Sequence, residues 1–71
     1  MDSDMLKRHL ALADEHIATG HKNLARQRTV IAELERHGHD TSEAIATLDL
    51  FEEVQAQHIA DRARILSELG L

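Results

Sequence analysis

A branched aliphatic residue followed by alanine recurs every seventh position in the first half of the chain: Leu10-Ala11, Ile17-Ala18, Leu24-Ala25 and Ile31-Ala32. A second column, Leu6, Ala13, Gly20, Gln27 and Leu34, apolar or small except at Gln27, falls three or four residues from the first. Alternating spacings of three and four put both columns on one helical edge, the seam of a coiled coil. The pattern predicts one helix over about 3–37. Ser3 or a flanking aspartate would be its N-cap, and Asp2 and Asp4 suit the positive end of the helix dipole.

The pattern breaks at "RHGHDTSEA". Gly38 can adopt the left-handed backbone that ends a helix. Asp40 with Glu43 resembles a capping box, and Thr41 is the alternative cap. A second helix is predicted over about 42–69, after a turn at 38–41, with Ala44, Ile45, Leu48, Phe51, Ile59, Ile65, Leu66 and Leu69 on its apolar face. A short loop between long helices makes them antiparallel neighbours. Counted from a turn at residues 39 and 40, Leu34 should face Ile45, Ile31 should face Leu48, and the small Ala13 and Gly20 should face Leu66 and Ile59. The same count sets Glu52 beside Arg28 and predicts a contact between them.

The expected fold is all-α: a single-domain antiparallel hairpin, coiled-coil-like, that dimerises into a four-helix bundle. A lone hairpin buries one stripe of each helix against an ordering cost of about 1.5 kcal/mol per residue, which leaves it marginal. The alanine column also widens the low-polarity surface beyond what one partner helix needs. Core and interface are expected at Leu6, Leu10, Ile17, Leu24, Ile31 and Leu34 on the first helix. On the second they are expected at Ile45, Leu48, Phe51, Ile59, Leu66 and Leu69. Gln27, Glu52, Gln55 and Arg62 interrupt the seam, as register-setting polar residues do.

Composition narrows the function classes. The 71 residues contain no cysteine, no proline and one aromatic residue, Phe51. Neither a disulfide nor a thiolate metal site is available. A net charge of −5 without a basic stripe argues against nucleic acid, and no stretch approaches the roughly 20 apolar residues of a membrane span. The first residues lack the basic start and apolar run of a signal peptide, so the cytoplasm is the expected compartment.

No nucleophile elbow or glycine-rich phosphate loop occurs, and two thin helices offer no deep pocket, so no enzyme activity and no cofactor are expected. Six histidines are many for this length. His9, His16, His37 and His58 share one heptad column, and His21 lies on another. No histidine pair has the i, i+4 spacing of a helix-borne metal site. Across the hairpin, the residue count brings His21 opposite His58, with Asp61 one turn on. These three form a candidate zinc or nickel site and a runner-up reading, a metal- or pH-responsive bundle. "HGHD", His37 to Asp40, is a second candidate.

The segments His9-Leu10-Ala11, Gly38-His39-Asp40-Thr41 and Phe51-Glu52-Glu53-Val54-Gln55-Ala56-Gln57-His58 resemble a group of short bacterial two-helix proteins that carry no assigned function. The resemblance implies a helical hairpin and supplies no activity. The leading expectation is therefore a small interaction or oligomerisation module. Its partner would be a second copy of itself, or another helical protein.

Overall fold

Asp2 opens the first helix, where its carboxylate accepts a hydrogen bond from the Asp4 backbone N–H at 3.1 Å. In the computed structural model, which describes residues 2–70, helix α1 runs Ser3–Arg36 and helix α2 runs Ser42–Leu69. They lie side by side and antiparallel in a rod of 53 × 15 × 14 Å. Helix α1 is 34 residues long and stays unbroken because its interior lacks proline and is rich in strong helix formers.

The turn follows from Gly38. At φ 71° it takes the left-handed conformation. The His39 N–H then reaches the Leu34 carbonyl at 2.9 Å, and the Gly38 N–H reaches Glu35 at 3.1 Å. These two bonds form a Schellman motif that satisfies carbonyls otherwise orphaned at the helix end. Thr41 occupies the N-cap position of α2 without a side-chain cap bond. Asp40 does the capping from one residue earlier: its Oδ1 accepts from the Ser42 backbone N–H at 2.9 Å and from the Ser42 hydroxyl at 2.7 Å. Both bonds favour the ionised carboxylate and hold its pKa below the ordinary value.

The seam on α1 is the expected one. Leu6, Ala13 and Leu24 are buried, and Leu10, Ile17, Ile31 and Leu34 are half-buried. On α2 the expectation needs correcting. Leu48, Phe51, Leu66 and Leu69 are half-buried, but Ile45 and Ile59 are 42% and 50% exposed. Helix α2 turns inward the column Ala44, Phe51, His58 and Ile65 and leaves Ile45, Glu52 and Ile59 exposed, with Leu66 half-buried at the seam's edge. The reason is Glu52: burying its column would take a carboxylate out of water, whereas at the exposed edge it stays hydrated and meets Arg28. Opposite Gly20 stands not Ile59 but Gln55, which is 5% exposed and donates its side-chain N–H to the Ile17 carbonyl at 2.9 Å. Gln27 mirrors it from α1, donating to the Ala44 carbonyl at 2.8 Å. Two seam glutamines thus bond to the facing backbone and lock the register.

Candidate functional site

The two long sides of the hairpin differ. One carries both ion pairs that cross between the helices among the described residues. Arg62 Nε meets Asp14 Oδ1 at 2.6 Å, and Arg28 meets Glu52 at 3.7 Å, with all four side chains substantially exposed. The Arg28–Glu52 contact is the one the residue count predicts. Exposed pairs of this kind contribute under about 1 kcal/mol each. A shallow groove of about 420 Å³ runs along this side, lined among others by Asp14, His21, Ile59 and Arg62.

The other side has no such clasp among the described residues. It is lined by the columns of Met5, Leu12 and Thr19, and of His16, Asn23 and Val30, on α1. On α2 it is lined by Phe51, Val54, His58 and Asp61. Met5, Leu12, Val30 and Val54 are all at least 41% exposed. Two cavities lie along it. One of about 480 Å³ is bounded by Leu12, His16, His58, Asp61 and Ile65. One of about 300 Å³ is bounded by Thr19, Gly20, Phe51 and Val54, together with His16 and His58. They meet at the two histidines, whose ring centres stand 4.9 Å apart with planes tilted by 45°.

The metal trio expected from the residue count is not assembled. His21 lines the ion-paired groove, whereas His58 and Asp61 line the opposite one. The rotation of α2 that turns Ile59 outward also carries His58 past the seam, toward His16. Asp61 is 3.5 Å from Arg64. In the turn, the His37 and His39 ring centres are 6.4 Å apart, and Asp40 is engaged with Ser42. Among the described residues no three histidine, aspartate or glutamate side chains are grouped closely enough to hold an ion by themselves.

Met5, Leu12 and Val54 fall outside the seam columns, so heptad reading passes over them. The signal was present in the spacing of Met5, Leu12 and Thr19, seven residues apart. The other signal was the shared column of His16 and His58.

No helix among the described residues is long and apolar enough to cross a membrane. Compared with known protein families, curated proteins and solved structures, the chain finds no match.

Proposed function

We propose that this protein is a small non-enzymatic interaction module that assembles with a second copy of itself into a four-helix bundle, meeting along the side bearing Leu12 and Val54. The observation that carries this is surface area. A compact monomer of 8.0 kDa exposes about 4,450 Å², whereas this chain exposes 5233 Å². The excess, about 780 Å², matches the ~800 Å² per partner that a standard specific interface buries. The core of the single hairpin is correspondingly thin. Among the described residues the buried apolar ones are Leu6, Ala13, Leu24 and Ile65, and none of the larger side chains is fully enclosed.

The side without ion pairs between the helices is the better meeting face, because Met5, Leu12, Val30 and Val54 there stand in water. Within the same proposal, the chain is a cytoplasmic member of the short bacterial two-helix proteins that its turn and its Phe51–His58 segment resemble. Sedimentation equilibrium across a concentration series tests the assembly. A dimer mass with a concentration-dependent melting temperature is expected. A folded monomer at all concentrations up to the millimolar range would overturn the reading.

A further inference from the structure

We propose that His16 and His58 form one half of a transition-metal site that a second copy of the chain completes, so that a divalent ion of the zinc type bridges two hairpins. The inference rests on the dimer reading above and adds a ligand to it.

The geometry of the pair suits ligation. With metal–nitrogen bonds of about 2.0 Å along the ring axes, two imidazoles on one ion at roughly 90–110° have centres roughly 4.5–5.2 Å apart. The observed separation is 4.9 Å, and the 45° tilt departs from parallel stacking. Histidine χ2 is a broad torsion, so each ring turns toward a shared point at little cost. Imidazole is a preferred ligand of zinc, copper and nickel.

Two ligands do not close a zinc site, which takes four in its structural form. Among the described residues no third side chain completes the set. A two-fold axis crossing the meeting face at the level of the pair brings two further imidazoles to the same point. That axis is also sterically favoured. Leu12 lies four residues from His16 toward the open end of the hairpin, and Val54 lies four residues from His58 toward the turn. Each is about 6 Å along the rod from the pair, on opposite sides. The rotation therefore sets Leu12, half exposed, at the level of the partner's Val54, over the cavity of about 300 Å³ beside Gly20. The exchange is reciprocal, as an isologous interface requires.

The test uses the untagged chain in sedimentation equilibrium and calorimetric titration, with EDTA or with zinc chloride. Half an equivalent of zinc per chain should saturate binding. Zinc in excess of its dissociation constant should tighten the dimer by roughly tenfold or more. His16→Gln and His58→Gln should each abolish the response to zinc while leaving the association in EDTA intact. His21→Gln should respond as the parent chain does. An association curve unchanged by zinc overturns the bridge, as does a response that survives His58→Gln or vanishes in His21→Gln. The EDTA arm separates the two ideas: a metal-insensitive dimer sinks only the bridge, and a monomer with and without zinc sinks the dimer as well.

Discussion

The side-chain amide of Gln55 occupies the place where a side chain at Gly20 would project. A Cβ built on Gly20 would lie 1.8 Å from Gln55 Oε1. The two positions are therefore one unit: glycine is required on α1 because the amide is required on α2. Gln55 Nε2 donates to the Ile17 carbonyl, and its oxygen is enclosed against the bare helix with no hydrogen-bond partner.

Gly20→Ala should consequently destabilise the hairpin even though alanine is the better helix former by about 0.8–1 kcal/mol. To admit a methyl, the amide must leave the Ile17 carbonyl, which strands a buried polar group at about 1–3 kcal/mol. In a Gln55→Ala background the obstruction is gone, and the same glycine substitution should become stabilising. Urea denaturation of the four proteins in this cycle checks the change of sign.

The rotation of α2 makes Leu24 and Ile59 unequal, although both are aliphatic residues on one heptad column. Leu24 is 7% exposed and Ile59 is 50% exposed. Leu24→Ala should cost about 2–4 kcal/mol, and Ile59→Ala less than about 1 kcal/mol. Comparable losses in thermal and urea unfolding would mean that Ile59 belongs to the core after all.

Asp40 gives the turn a pH dependence. Its two bonds from Ser42 lower its pKa in the folded state. The unfolded chain therefore binds the Asp40 proton more readily than the folded one. The stabilisation is fully present above the ordinary aspartate pKa of about 3.9 and fades as pH falls through the lower folded value. Asp40→Asn, which keeps the acceptor oxygen and removes the charge, should flatten that acid limb by losing the charge's contribution at pH 7, so that the two proteins converge as pH falls. Melting temperatures of both proteins between pH 2 and 7 measure it.

Leu12→Glu sets a carboxylate at the centre of the proposed meeting face while leaving the seam alone. Dimerisation should weaken by about 2 kcal/mol or more, the scale of a central interface residue, with the far-ultraviolet helix signal of the monomer preserved. Ile59→Glu, on the ion-paired side, should leave the mass unchanged. If both variants dissociate equally, the two sides share the contact.

Much of the architecture can be read from residue spacing. The α1 seam, the break at Gly38, the bounds of both helices and the Arg28–Glu52 contact all follow from heptads, a glycine and a residue count. The rotation of α2 does not. The columns containing Ile45 and Ile59 and containing Phe51 and Ile65 are similarly apolar, so periodicity alone does not rank them. What ranks them is pairwise: Glu52 refuses burial, and Gln55 fits only against a residue without a side chain. The histidine pair is illegible from spacing for the same reason, since His58 meets His16 rather than His21 only once α2 has turned.

Among the described residues, both ion pairs between the helices lie on the side away from the proposed contact between copies. Each copy carries a net charge of −5, so two copies repel. Dissolved electrolyte would mute that repulsion without loosening any attraction where the hairpins meet. Cohesion between copies should then grow with ionic strength, the reverse of what complexes held by opposite charges do.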